Sequence, residues 1–145
     1  IGLQPRGTFL AKRMQNLLKE QGVDAKLGSL DITFFRDDFR RRNMPLQANQ
    51  TQINFLLEGK DVIFIDDVLY TGRSVRSALD AIQSFGRPRS VELLVLIDRR
   101  FSRELPIQPD YSGKRVDSLS GDRVAVEWKE EHGTDDIVYI LKADQ

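Results

Sequence analysis

Two adjacent carboxylates, Asp66 and Asp67, close the apolar run Val62-Ile63-Phe64-Ile65, and Val68-Leu69-Tyr70 leads from them into the turn Thr71-Gly72-Arg73-Ser74. A continuous apolar run is the pattern of a strand buried on both faces. That puts the aspartates at its carboxyl end, where a parallel sheet binds its ligands. The turn after them opens a helix, and backbone N–H groups at a helix start converge on an anion, with the helix dipole favouring negative charge. Gly72 permits the close approach or positive φ that such a turn needs, and the hydroxyls of Thr71 and Ser74 add donors. Carboxylates accept hydrogen bonds from sugar hydroxyls while the turn holds a phosphate, so the two features together suit a sugar phosphate.

Three other readings compete for the same residues. Apolar residues before an aspartate resemble a Walker B strand, but the chain has no G-x-x-x-x-G-K-[ST] segment, and without that cradle a P-loop NTPase fails. An aspartyl-phosphate enzyme would use one carboxylate as nucleophile, and nothing beyond Asp66 and Asp67 supports it. The plainest alternative makes the aspartates caps of the following turn. Adjacent carboxylates repel, however, and a purely structural turn has no use for the pair.

The elements that must position this motif follow from periodicity. Ile1, Gly2 and Leu3 read as the end of a strand, closed by Gln4-Pro5-Arg6-Gly7. From Thr8 onward Leu10, Met14, Leu17 and Leu18 recur at helical spacing, and Gly22 fits the stop. Residues 26–35, with Leu27, Leu30, Ile32, Phe34 and Phe35 partly alternating, predict a strand. Residues 36–52 are polar, with Arg40-Arg41-Arg42 and Pro45, and read as a mobile loop or as the arms of a splayed hairpin that residues 53–57 close. Val75, Ala78, Leu79, Ile82 and Phe85 mark a second amphipathic helix, ended by Gly86 and Pro88. Residues 91–97 repeat the buried-strand signature, and strand, helix and strand at this spacing form a βαβ unit, hence a parallel sheet. Beyond Phe101 no helix-length pattern recurs, and residues 124–128 and 137–141 predict two short strands. The fold class is α/β: a parallel sheet flanked by helices, with a small C-terminal hood of short strands.

Length and composition narrow the rest. The 145 residues suit one domain over 1–145. Lys plus Arg and Asp plus Glu both number 22, which argues against a generally basic nucleic-acid-coating protein and leaves only a local basic face. The lack of cysteine removes disulfides, thiolate chemistry and cysteine zinc sites together. No apolar run approaches the ~20 residues of a membrane span and no signal-peptide pattern stands at the start, so the expected location is cytoplasmic. The chain opens on Ile1 inside an apolar stretch, which predicts further residues upstream.

The stretch 62–74 is similar to the phosphoribosyl pyrophosphate signature of type I phosphoribosyltransferases. Its form Asp-Asp-Val-Leu-Tyr-Thr-Gly-Arg, with Asp31-Ile32-Thr33 and Arg36-Asp37-Asp38 upstream, resembles one branch in particular. So do Asp98-Arg99, Arg103-Glu104-Leu105-Pro106-Ile107 and Asp110-Tyr111-Ser112-Gly113-Lys114. That branch is the bifunctional pyrimidine operon regulator and uracil phosphoribosyltransferase family, and the resemblance runs along essentially the whole chain; it implies a further N-terminal segment of the family ahead of Ile1.

The resemblance implies an enzyme that makes UMP and pyrophosphate from uracil and phosphoribosyl pyrophosphate. Asp66 and Asp67 would contact the ribose hydroxyls, and the turn through Val68, Leu69, Tyr70, Thr71, Gly72, Arg73 and Ser74 would wrap the 5′-phosphate. Arg6 and Gly7 match the pyrophosphate loop. A magnesium ion bridging the pyrophosphate is implied, and no cluster of residues would hold it without substrate. Arg36, Asp37 and Asp38 open the family's flexible loop, a lid over the substrate. Asp98 and Arg99, with backbone of the C-terminal strands, would form the base pocket. His132, the only histidine, has no partner pattern and reads as a surface residue; no general base stands out, as expected where pyrophosphate leaves dissociatively and catalysis rests on positioning and electrostatics.

The same resemblance implies binding to the leader RNA of pyrimidine genes, in a UMP-dependent manner, through a basic face of a dimer or higher homo-oligomer. Arg103 and Lys114 match that face, although Arg103 reads equally as an ion-pair partner. Gln108 stands where regulators of this family carry arginine, and Phe101-Ser102 where the family often has Gly-His. The alternative function is a phosphoribosyltransferase for another base, orotate or a purine, without RNA regulation.

Overall fold

The computed structural model describes residues 1–32, 51–119 and 121–143. Its elements run, in chain order, β1 (Gly2–Gln4), α1 (Gly7–Glu20), β2 (Ser29–Asp31), β3 (Asp61–Leu69), α2 (Arg73–Ile82), β4 (Ser90–Arg100), β5 (Tyr111–Asp117), β6 (Arg123–Glu127), α3 (Lys129–His132) and β7 (Ile137–Leu141). The first five strands form one parallel sheet in the order β2-β1-β3-β4-β5, and β6 and β7 pair antiparallel as a separate ribbon.

Pattern explains the centre of this sheet. Alternate residues of a strand face opposite sides, and here both sides bury apolar groups. Val62 and Phe64 of β3 and Leu93 and Val95 of β4 join Val75, Ala78, Ala81 and Ile82 of α2 in one core. Ile65 and Ile97 join Leu10 and Ala11 of α1, together with Val126 and Trp128 of the C-terminal ribbon, in a second. Helices thus cover both faces, α2 on one and α1 with the ribbon on the other. Phe64 is fully buried, and a side chain of that size contributes roughly 2–3 kcal/mol by leaving water.

The strands differ from expectation in physically informative ways. β2 has three residues, not ten, and Ser29 exchanges both backbone hydrogen bonds with Gln52 at 2.9 and 2.8 Å. The chain therefore returns at Gln52. Residues 53–57 form no strand but lay Ile53, Phe55 and fully buried Leu57 against the core while Leu56 stays exposed. β5 has no counterpart in the expected elements: it is an edge strand whose residues are nearly all exposed, so no apolar signature announces it. β3 continues through both aspartates to Leu69, so the carboxylates stand within the strand's last turn of pleat and not beyond it. The expected flexible loop at Arg36, Asp37 and Asp38 lies outside the described residues.

An arginine of α1 fastens the ribbon beside the apolar contacts of Val126 and Trp128. Arg13 donates to both carboxylate oxygens of Glu130 and of Asp136, at 2.7–2.8 Å, while its guanidinium lies 4.8 Å from the centre of the Trp128 ring. Asp122 closes the other end of the ribbon, accepting from the backbone N–H of Leu119 and Ala143 and from Lys142.

Candidate functional site

Strand order creates the site. From β1 the chain crosses outward to β2, whereas from β3 it crosses the other way to β4, so the two directions diverge between β1 and β3. Such a switch point leaves a crevice at the carboxyl ends of the strands. β1 delivers Pro5, Arg6 and Gly7 to it, and β3 delivers Asp66 and Asp67. Gly7 makes this approach possible, because a Cβ there would sit 2.2 Å from the Ile65 carbonyl oxygen. The start of α1 is thus pressed onto β3 beside the aspartates.

The aspartates sit at an irregularity shared by β3 and β4. The ladder pairs Asp66 with Val95 and Val68 with Ile97, passing over Asp67 and Leu96 between them. The backbone N–H of Asp67 donates instead to Asp66 Oδ1 at 2.8 Å, and that of Val68 to Asp67 Oδ1 at 2.7 Å. Ahead of this point Ile65 faces α1 and Phe64 faces α2; beyond it Val68 packs on the α1 side and Leu69 on the α2 side, the reverse of simple alternation. Asp66 accordingly lines a cavity on the α2 side, and Asp67 one under the ribbon.

The first cavity, about 420 Å³, is lined by Asp66, Val68 through Val75, Val95 and Glu104, and lies within the ~300–1,000 Å³ usual for small-molecule sites. Gly72 caps α2 with φ 93°, a left-handed conformation in which a side chain is strained. The start of α2 therefore lines this cavity, with the Arg73 N–H donating to Thr71 Oγ1 at 3.3 Å, and a helix start of this kind favours an anion. A neighbouring segment holds the turn from outside: Glu104 and Leu105 donate their N–H groups to the Thr71 carbonyl at 2.9 and 3.1 Å, and Arg73 pairs with Glu104 at 2.5 Å. Sequence reading missed this cover, although Glu104 and Leu105 belong to a motif it quoted.

The second cavity, about 370 Å³, lies between the sheet and the ribbon, lined by Arg6, Asp67, Val68, residues 123–127, His132 and Tyr139. Arg6 crosses it. Its Nε donates to Asp67 Oδ2 at 3.1 Å, its Nη1 to Glu131 at 3.1 Å, and its Nη2 to the Val126 carbonyl. His132 is half exposed, with Nε2 3.5 Å from Glu131. Val126 and Glu131 are 120 and 125 residues from Arg6, and no local signal in the sequence connects them.

Asp98 and Arg99 are held by protein partners. Asp98, with 4% of its side chain exposed, accepts from Arg103 Nη2 at 2.6 Å and lies 3.7 Å from Arg115. Arg99 donates to Ser118 Oγ at 2.8 Å and to the Asp122 carbonyl at 2.9 Å, and stacks 3.9 Å from the Tyr70 ring centre. Arg103 also donates to the Tyr70 carbonyl at 2.7 Å, so it turns inward to brace the turn before α2. Lys114 is exposed on the edge strand β5. Phe101, where the resembled family often has glycine, has φ 69°, the left-handed region that glycine fills without strain. Among the described residues no group of three or more His, Asp or Glu side chains could hold a metal ion, and no helix is long and apolar enough to cross a membrane.

A crevice at the switch point of a parallel sheet, with paired carboxylates before the start of a helix, lies where open α/β sheets bind their ligands, and the phosphoribosyl transferase domain model matches residues 1–131, so the chain belongs to that family. Among its relatives, Bifunctional protein PyrR 1 of Lactiplantibacillus plantarum is 47% identical over 94% of this chain and 77% of that protein. Bifunctional protein PyrR of Caldicellulosiruptor bescii is 44% identical over 100% of this chain and 79% of its own length. Within the phosphoribosyltransferases, the bifunctional PyrR branch is thus the one this chain falls in. The fold is shared more widely. A hypoxanthine phosphoribosyltransferase from Staphylococcus aureus superimposes with TM-score 0.58 at 23% identity, over 82% of this chain and 61% of that one. A purine phosphoribosyltransferase from Pyrococcus horikoshii does so with TM-score 0.57 at 20% identity, over 79% and 68%.

Proposed function

We propose that this chain transfers the phosphoribosyl group of phosphoribosyl pyrophosphate to uracil, releasing pyrophosphate and forming UMP. The observation that carries the reading is the junction of Arg6, Asp66–Asp67 and the Gly72 turn at one switch point, in a chain of the bifunctional PyrR branch. The 5′-phosphate sits on the N–H groups at the start of α2, and the ribose hydroxyls donate to Asp66 and Asp67. Arg6, at the start of α1, takes the pyrophosphate. The base occupies the space under β6, whose backbone walls the second cavity next to Asp67. Asp98 and Arg99 line neither cavity; they act from behind, holding the turn before α2 through Arg103 and Tyr70 and the approach to β6 through the Asp122 carbonyl.

The donor set suits magnesium carried in with substrate. Two adjacent carboxylates are too few to hold the ion alone, and magnesium prefers phosphate oxygens and water. Asp66 and Asp67 are the residues that would hold it, and it would neutralise charge on the departing pyrophosphate. The protein's own share is electrostatic: Asp67 and Asp66 favour an electron-poor ribose, and Arg6 favours the anion that leaves. Initial rates with uracil, orotate, hypoxanthine and guanine test this reading. Magnesium-dependent UMP formation with uracil far ahead of the others is expected. Preference for another base, or full turnover in excess EDTA, contradicts it.

The second activity is UMP-dependent binding to the leader RNA of pyrimidine genes by a homo-oligomer. Lys114, exposed on β5 with Arg115 beside it, is the basic element that supports it. Loss of one phosphate contact in Lys114→Ala is expected to lower the log–log salt slope by roughly one. Coupling is reciprocal, so RNA tightens UMP. Equal, weak binding of the leader and a scrambled RNA removes the regulator and leaves the enzyme.

A further inference from the structure

All three nitrogens of the Arg6 guanidinium are engaged within the chain, by Asp67, Glu131 and the Val126 carbonyl. Asp67 belongs to the sheet, whereas Glu131 lies in α3 and Val126 in β6. One side chain therefore ties the sheet to the ribbon across the second cavity. A guanidinium has five N–H donors, so one on Nη1 and one on Nη2 remain for a pyrophosphate group. Asp67 and Glu131 already set two carboxylates against Arg6, however, and like charge this close opposes the arriving anion. The carboxylate held least firmly is the one to give way. Glu131 is the weakest hold. Its pair with Arg6 is about one-third exposed on both sides, with side-chain exposures of 34% and 33%, whereas Asp67 is 12% exposed. Exposed ion pairs are screened and contribute little.

We propose that Glu131 is a positioning residue for the transfer: it shares Arg6 with Asp67, and pyrophosphate binding withdraws Arg6 from Glu131, so that the α3 corner of the ribbon beside the base pocket is then held through Arg13. The proposal rests on the assignment of Arg6 to pyrophosphate and Asp67 to ribose. It makes Glu131 an internal competitor for the diphosphate's own arginine. A competitor of this kind lowers apparent affinity by the fraction of time it holds the group. It also links the two halves of the site, since the corner that Arg6 leaves is next to the wall facing the base.

The chain has one tryptophan, Trp128, buried three residues before Glu131 in the same ribbon. Its emission reports movement of this corner without turnover. The test uses the full chain with Glu131→Gln, and Asp135→Asn as a control that removes the same charge from an exposed position of the same ribbon. Glu131→Gln is expected to lower the KM for phosphoribosyl pyrophosphate about threefold with kcat changed less than twofold, roughly the scale of one exposed pair. Magnesium pyrophosphate is expected to shift Trp128 emission in the parent chain and much less in Glu131→Gln, while Asp135→Asn behaves like the parent. Equal shifts in parent and Glu131→Gln, or equal affinity gains in Glu131→Gln and Asp135→Asn, overturn the proposal and leave the enzyme reading intact. Failure of the parent chain to bind pyrophosphate or phosphoribosyl pyrophosphate at all removes both.

Discussion

At the scale of single residues, charge and its partners decide what each group can do. Asp67 is buried and held by Arg6, with its own oxygen also accepting the Val68 N–H. Asp67→Asn keeps this shape and removes the charge proposed to favour an electron-poor ribose. Turnover is expected to fall on the order of 10²-fold in that variant, and near-normal rates in both Asp66→Asn and Asp67→Asn would mean that neither carboxylate faces the reacting sugar. Arg103 shows how a sequence motif can be right about importance and open about role. It lies in a quoted stretch and reads from sequence as an RNA contact or an ion-pair partner. In the structure its guanidinium joins Asp98 to the Tyr70 carbonyl. Arg103→Ala removes the close partner of a buried carboxylate, at a cost of about 2–3 kcal/mol, and loosens the turn proposed to hold phosphate. A lowered unfolding midpoint together with a raised KM for phosphoribosyl pyrophosphate is the expected result. An unchanged midpoint and KM, with RNA binding lost, would return Arg103 to the RNA face.

At the scale of elements, periodicity and turn chemistry carry most of the site. The β3–turn–α2 unit was legible because an apolar run, two aspartates and a glycine at a helix start each have a local physical meaning. Gly72→Val is the matching test. The variant must hold φ near 93° with a β-branched side chain, so substrate binding is expected to vanish while most of the fold remains; wild-type affinity would show that the turn does not hold phosphate. What local pattern could not show is long-range pairing. β5 is a polar edge strand, and its place is set by the parallel register with β4. The ribbon's two strands were visible as apolar runs, but their docking depends on Arg13, Arg6 and Asp122 meeting partners far along the chain. That docking has a pH signature. Arg13 and the Lys129 N–H hold the Asp136 carboxyl near 2, and the Leu119 N–H, Lys142 and the Ala143 N–H hold Asp122 near 2, both below the ordinary 3.8. A depressed carboxylate stabilises the folded form above its unfolded pKa, and that contribution is lost as pH falls through the folded value. The ribbon is therefore fully anchored at neutral pH and is expected to loosen between about pH 4 and pH 2, seen in Trp128 emission. Asp136→Asn should flatten this transition, and an unaltered profile would mean that the anchor lies elsewhere.

At the scale of the whole molecule, the switch point between β1 and β3 organises the site. One strand brings an arginine and the start of α1, the other brings two aspartates and the start of α2, and the ribbon closes over the space between. Each part is ordinary chemistry for anions or hydroxyls, and only the fold makes them one site. The family relationship adds the base and the second activity, which geometry alone does not name. The most direct test of the central claim is a crystal structure of the chain with ribose 5-phosphate. The phosphate is expected at the start of α2, within hydrogen-bonding distance of backbone N–H groups of residues 71–74, with ribose hydroxyls on Asp66 and Asp67. A well-ordered ribose 5-phosphate bound elsewhere, with the Gly72 turn left empty, would contradict it.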